Sequence, residues 1–401
     1  MSRHTILFVD DDPLILRGLQ RSLDEYDEYW RVEYAQSGNE ALSKLAEMKF
    51  DAVVTDMLMP VMNGLTLLKQ VQDRYPGVLR FILSGNTNDY QSIQSVNLVH
   101  QMFPKPCEME MVFLNVERSC RLKDSLSEPN LVRIITSIHT LPSKPALYDK
   151  LIEELQNNEP NMKIVGEIIA QDTAMTAKVL QLVNSAFFGL SDKISNPQRA
   201  VSLIGLNTTK ALVLTSHVFS EYENRKNVPV SILKLWDHSM MVSSIAKHIA
   251  ADLGLSKDDQ ENAQVAGILH DIGKLLELKV PKMASMMRFQ TKRVLISTEY
   301  EILNTSHAEM GAYLLGIWGI PTNIVEAIMY HHYPSRQIGN ETTILTALHL
   351  ANGLLNMCVF ENKTEYNSYL DMKYLEKIIS LTMLEGWTNY IKDMLRENKN
   401  D

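Results

Sequence analysis

Over the first hundred residues, short and densely apolar runs alternate with amphipathic stretches of helical period. Residues 5–9, 50–54 and 79–83 are too short for core helices and lack a solvent-facing alternation. Such runs read as strands buried on both faces. Strands separated by helical stretches predict a doubly wound parallel sheet, an α/β domain covered by helices on both sides. Pro13 suits a first helical position, and Asn63-Gly64 reads as a turn.

Beyond about residue 107 the strand-like runs stop. Residues 121–130 are rich in Lys, Asp, Ser and Glu and read as a linker or helix end, which sets an expected boundary near 125. From there the period is helical: Leu147, Leu151, Ile152 and Leu155 form one apolar stripe, and Ile324, Val325, Ile328 and Met329 another. Ser306 with Glu309 resembles a capping box, and Pro321 suits a first helical turn. At 401 residues the chain exceeds what one core organises. The expected organisation is an α/β domain over residues 1–124, an all-α domain over 125–335 and a helical extension over 336–401.

Ligands of open α/β sheets sit outside the carboxyl ends of the strands. There the sequence collects Asp10 and Asp11 after the first run, then Asp56, Ser84 and Lys105. Carboxylates converging on one crevice repel one another unless a hard cation lies among them, and oxygen-only ligands favour Mg²⁺ over zinc. A carboxylate beside Mg²⁺ can attack phosphorus while a lysine and a hydroxyl stabilise the transferred oxygens, and Asp56 is the natural acceptor.

The segments VDDD at 9–12, VVTDMLMP at 53–60, LSG at 83–85 and FPKP at 103–106 resemble a response-regulator receiver domain over about 120 residues. The resemblance implies Asp10 and Asp11 as the acidic pair, Asp56 as phosphoacceptor and Ser84 as switch hydroxyl. Lys105 would contact the phosphate and precede a cis bond to Pro106, and the backbone carbonyl of Leu58 would complete the metal site. One departure is Met102, at a position often aromatic in that family.

Residues 141–217 contain LPSKP, IIAQDTAMTAKVLQLVNSAFFG and ISNPQRAVSLIGLNTTKALVL, without a clustered nucleophile, metal ligands or phosphate loop. Asn184, Phe187, Phe188 and Gly189 read as helix-end and turn residues. The three blocks resemble the HDOD module, a helical relative of HD-type metal phosphohydrolases usually described as a non-catalytic output. Downstream, His238, His270-Asp271, His307 and His331-His332 arrive in an order that could line a dinuclear metal pocket. Common ancestry with the HD hydrolases explains that order. Two carboxylates carried by related cyclic di-GMP phosphodiesterases are replaced, by Lys234 and Asn352, and no GYP triplet follows His332. Lys274 survives where the hydrolases place a lysine near the scissile phosphate.

The pocket is therefore expected to be degenerate, holding one divalent ion or none. The leading expectation is a response regulator phosphorylated on Asp56 by a histidine kinase and signalling through a non-catalytic output domain. Its partner would be a protein such as a kinase or a nucleotide-signalling enzyme. The competing expectation is a receiver-gated metal phosphodiesterase, and a third is a phosphate sink. A net charge of −9 without a basic stripe argues against nucleic acid. The absence of a long apolar segment argues for the cytoplasm, and Cys107, Cys120 and Cys358 read as free thiols. The last 65 or so residues would either cap the helical module or pair two copies.

Overall fold

The structure, a computed structural model, describes residues 3–85, 98–126, 128–138, 141, 143, 145–157, 159–184, 193–215, 230–289, 296–337, 342–359 and 369–397. Phe187, Phe188 and Gly189 lie outside the described residues. Five parallel strands, β1 (His4–Val9), β2 (Trp30–Ala35), β3 (Ala52–Asp56), β4 (Leu79–Ser84) and β5 (Gln101–Pro104), form one sheet in the order β2-β1-β3-β4-β5. The order reverses direction after β1, as a doubly wound sheet requires. Every residue of β3 is buried, because it lies between β1 and β4 with helices over both faces.

β3 starts two residues later than its apolar run suggests. Asp51 is spent on the connection, where its carboxylate accepts the Thr5 amide at 2.9 Å and pairs with Lys123 at 3.0 Å. The strand ends at Asp56. Asp12 caps the helix Pro13–Leu23 through the Leu14 amide at 2.7 Å, with Pro13 at its first position. Asn63 proves to be a cap as well: its side chain accepts the Thr66 amide at 2.8 Å and opens the helix Gly64–Arg74.

From residue 129 every described regular element is helical. Leu147, Leu151 and Leu155 are buried along Pro145–Gln156, as the stripe predicts. Ile324, Val325 and Ile328 do the same along Thr322–Tyr330, with Pro321 as that helix's N-cap. Ser306 and Glu309 complete a capping box on the helix His307–Ile317. Asn184 ends the helix Thr173–Val183 and clamps the Ile194 backbone through both ends of its amide, a packing role. Among the described residues the C-terminal stretch forms three helices, Ile344–Val359, Met372–Leu375 and Leu381–Glu397. Among the described residues no helix is long and apolar enough to cross a membrane.

The two folds share one apolar cluster. The helix Met109–Asp124, which closes the sheet domain, lies flush against His307–Ile317 at Gly316, where an added Cβ would sit 2.1 Å from Leu122 Cδ1. Arg80 at the start of β4 donates to the carbonyl of Thr136 at 2.8 Å and so binds the end of the helix Pro129–Thr136 to the sheet. Burial depresses that guanidinium to about 10.

Candidate functional site

Strand register assembles the first site. Val9 is paired with Thr55, so Asp10 emerges beside Asp56; Asp56 is paired with Leu83, so Ser84 follows one residue on; Ser84 is paired with Pro104. Lys105 then reaches across the strand ends, hydrogen-bonding Asp10 Oδ2 at 2.6 Å and also Asp56 Oδ1. The Lys105–Pro106 bond is cis. Asp10 and Asp56 are buried, whereas Asp11 is exposed at the rim. The second oxygen of Asp56 accepts the Leu58 amide at 2.8 Å.

Burial pulls the Lys105 ammonium down, but its bonds to Asp10 and Asp56 outweigh that and leave it raised. One ammonium thus bridges two acids. Asp10, Asp11, Asp56 and a neighbouring main-chain carbonyl are an all-oxygen donor set, which suits a hard divalent cation. Met102 is buried inside the sheet domain, paired with Ile82.

The second site gathers at helix ends. His270 ends the helix Lys257–Leu269, Asp271 opens Ile272–Glu277, His307 opens His307–Ile317, and His331 ends Thr322–Tyr330. His238 comes from Val230–Asp252 and Asn352 from Ile344–Val359. All seven residues expected of the pocket meet there. Ligand atoms of His238, His270 and Asp271 lie within 4.8 Å of one another, as do those of His307, His331 and His332. Lys274 hydrogen-bonds Asp271 Oδ2 at 2.5 Å. Lys234 is exposed, and the ammonium hydrogen-bonded inside the pocket is that of Lys274.

Hydrogen bonds decide which of these nitrogens carry lone pairs. The last carbonyls of a helix lack intrahelical donors. His270 supplies one from Nδ1 to Gly267 at 2.8 Å, and His331 does the same for Ile328 at 2.7 Å. Each ring therefore carries its proton on Nδ1, and each Nε2 is buried without a hydrogen-bond partner. Burial depresses His270 to about 4 and His331 well below the usual histidine range. Both are neutral donors of the kind metals use.

The remaining groups are committed elsewhere. His307 lies between Glu299, 2.7 Å from Nδ1, and Asp271, 3.1 Å from Nε2. Burial opposes its protonation, yet Glu299 and then Asp271 prevail and raise it to about 9. An imidazolium cannot ligate a cation. His332 Nε2 lies 3.1 Å from His307 Nε2, and His238 Nε2 lies 3.1 Å from the Asn352 side-chain oxygen, to which it donates. Burial would raise the Asp271 carboxyl, but His270, Lys274 and His307 hold it well below its ordinary value. Asp271 and Glu299 are thus balanced by Lys274 and His307. His238, His270 and Asp271 lie close enough to fit one transition-metal ion if His238 gives up its bond to Asn352, with poor charge compensation for a second.

Comparison with known proteins identifies both domains. Residues 6–117 match the response regulator receiver domain family, and residues 141–334 match the HDOD domain family. The chain is a receiver–HDOD protein. An uncharacterized protein of Treponema pallidum (strain Nichols) is 24% identical over 211 residues, covering 50% of this chain and 39% of that protein. The hydrogenase transcriptional regulatory protein HoxA of Cupriavidus necator is 34% identical over 104 residues, 25% of this chain and 21% of its own. The chain thus spans about two fifths or less of these curated relatives. Among solved structures, the MmoQ response regulator of Methylococcus capsulatus str. Bath is 19% identical, with a TM-score of 0.46, over 60% of this chain and 98% of that chain.

Three residues of the HDOD pocket escape sequence reasoning. Glu299 and Glu277 are isolated acids on amphipathic helices, without a motif to mark them. Burial, and then the charge of Glu299, push the Glu277 carboxyl up. His349, three residues before Asn352, stands outside the ordered set of histidines. Its Nδ1 donates to the His331 carbonyl at 2.7 Å and its Nε2 accepts the Asp371 amide at 2.9 Å, so it fixes backbone.

Proposed function

We propose that this receiver–HDOD chain is a cytoplasmic two-component response regulator whose HDOD domain acts by binding a partner. A histidine kinase would supply the phosphoryl group: the phosphorus–nitrogen bond of the kinase histidine breaks as an Asp56 oxygen bonds to phosphorus. Asp10, Asp11, Asp56 and the Leu58 carbonyl would hold Mg²⁺, which neutralises charge on the transferred group. Lys105 keeps an ammonium at the Asp56 oxygen where the phosphoryl group arrives, and Ser84 offers a hydroxyl one residue beyond its strand partner. The observation that carries this reading is the Lys105 bridge between Asp10 and Asp56.

The non-catalytic half rests on Lys274 and His307, which supply the charges that Asp271 and Glu299 need. A kinase or a nucleotide-signalling enzyme is the class of partner that fits. A second reading, a metal-dependent phosphodiesterase, draws support from the unpartnered Nε2 atoms of His270 and His331. Turnover of cyclic di-GMP with Mn²⁺ or Fe²⁺ separates the two. The expected result is no hydrolysis beyond that of the His270→Ala/Asp271→Ala variant; robust hydrolysis lost in that variant would establish the enzyme.

A further inference from the structure

The receiver supplies the C-terminal cap of an HDOD helix. Gln101, buried at the start of β5, donates from Nε2 to the Ile317 carbonyl at 3.2 Å and to that of Gly316 at 3.5 Å. Arg118 on the Met109–Asp124 helix donates to the Ile320 carbonyl at 3.2 Å. These carbonyls belong to the last turn of His307–Ile317 and the loop that follows, where a helix has orphan acceptors and favours a cation. Gly316 lets the two helices touch at Leu122, and Gly319, with φ of +76°, lets the backbone turn against the Gln101 side chain.

The opposite end of the same helix begins at His307, which lies between Asp271 and Glu299. Its first turns are notched against the helix that carries Lys274. A Cβ on Gly273 would lie 1.9 Å from the His307 carbonyl oxygen, and one on Gly311 would lie 3.1 Å from the Gly273 nitrogen. A helix of 11 residues spans about 16 Å. On the receiver side, Lys105 lies four residue steps beyond Gln101 along β5 and its end, roughly 13 Å of extended chain.

We infer that β5 and the His307–Ile317 helix form one mechanical relay, from Lys105 at the phosphoacceptor to His307 in the HDOD pocket. The relay rests on the phosphorylation of Asp56 proposed above. A phosphoryl group on Asp56 gives Lys105 new acceptors and re-seats the end of β5. Gln101, at the other end of that strand, carries the displacement to the carbonyls of Gly316 and Ile317. Close contact at Gly311 and Gly316 leaves no slack, so the helix moves as a unit and disturbs the His307–Asp271–Lys274 network. The coupling is reciprocal: a ligand that reorganises Asp271 alters the affinity of Asp56 for beryllofluoride by the same free energy.

Hydrogen exchange on the full chain, with and without Mg²⁺ and beryllofluoride as the phosphoryl mimic, tests the relay. In the wild type, exchange should change by about fivefold or more at His307–Ile317 and Ile272–Glu277, as well as at residues 56–64. In Gln101→Ala/Arg118→Ala the change at 56–64 should persist, reporting a folded receiver, while the HDOD change disappears. Gly316→Ala, whose Cβ would displace the Leu122 side chain without removing a hydrogen-bonding group, should weaken the HDOD change. A wild-type response at 56–64 with none at His307–Ile317 would overturn the relay and leave the phosphorylation reading standing. No response at 56–64 would overturn both. A full HDOD response in Gln101→Ala/Arg118→Ala would refute the route.

Discussion

Lys274 Nζ lies 2.5 Å from Asp271 Oδ2, and its ammonium takes a place on that carboxylate where a metal-dependent enzyme needs a cation. Asp271 is fully buried, and a buried carboxylate stripped of its partner costs about 3–5 kcal/mol. Lys274→Met should therefore destabilise the chain without metal, yet bind Zn²⁺ about tenfold more tightly, because its competitor is gone. Denaturation with and without Zn²⁺, beside calorimetric titration, reads both effects. Equal affinity in the two proteins would show that the ammonium does not compete.

At the other site the chemistry is nucleophilic. Asp56→Asn should abolish labelling by acetyl phosphate, since an amide is a poor nucleophile. Lys105→Ala should keep Mg²⁺ binding while uncoupling phosphorylation from output, because the phosphoryl group loses its cationic partner. Undiminished labelling of Asp56→Asn would remove the receiver assignment of this residue.

Gly273 follows the His270-Asp271 pair by two residues and has no room for a side chain, since its Cβ would meet the main chain of His307 at 1.9 Å. Main chain at the start of a capped helix cannot yield as a side-chain tip does. Gly273→Ala should cost about 3 kcal/mol, readable as a lowered denaturation midpoint with the receiver's own labelling preserved. An unchanged midpoint would mean that the two helices separate freely.

The strand-end acids were legible because register in a parallel sheet follows from alternation of apolar runs, and chemistry at the carboxyl edge follows from register. The boundary of β3 was less so. Asp51 looks like any strand-flanking acid, and only its bond to the Thr5 amide shows that the strand begins after it. In the HDOD pocket the order of histidines gave the membership but not the protonation. That His307 is a cation depends on Glu299, eight residues away and unmarked. That His238 carries its proton on Nε2 depends on Asn352, a contact across 114 residues. Lys234 looked like an intruding charge because periodicity gives its helix but not its exposure. Nor does any pattern in the sequence mark Gln101 and Arg118 as donors to the carbonyls of another domain.

Lys178 offers the clearest pH signature. It is fully buried on the helix Thr173–Val183, with Nζ 3.0 Å from Gln181 Oε1 and 4.2 Å from the Trp318 ring centre. Burial, with no carboxylate to oppose it, depresses the ammonium from 10.5 to about 7. Between those values the unfolded chain holds a proton that the folded chain has released. The contribution of Lys178 to stability therefore rises as pH rises from about 7 toward 10.5, and is flat below that window because both states are protonated. Lys178→Met removes the penalty while keeping the apolar stem, at the loss of one hydrogen bond to Gln181. It should stabilise the chain by about 1–4 kcal/mol near pH 6. That advantage should shrink steadily when urea midpoints of the two proteins are compared up to pH 9.5, since the wild-type amine is then neutral when folded. Other titrating groups cancel in the comparison. A gain independent of pH would place the benefit in packing alone and would mean that Lys178 keeps its ordinary affinity for the proton.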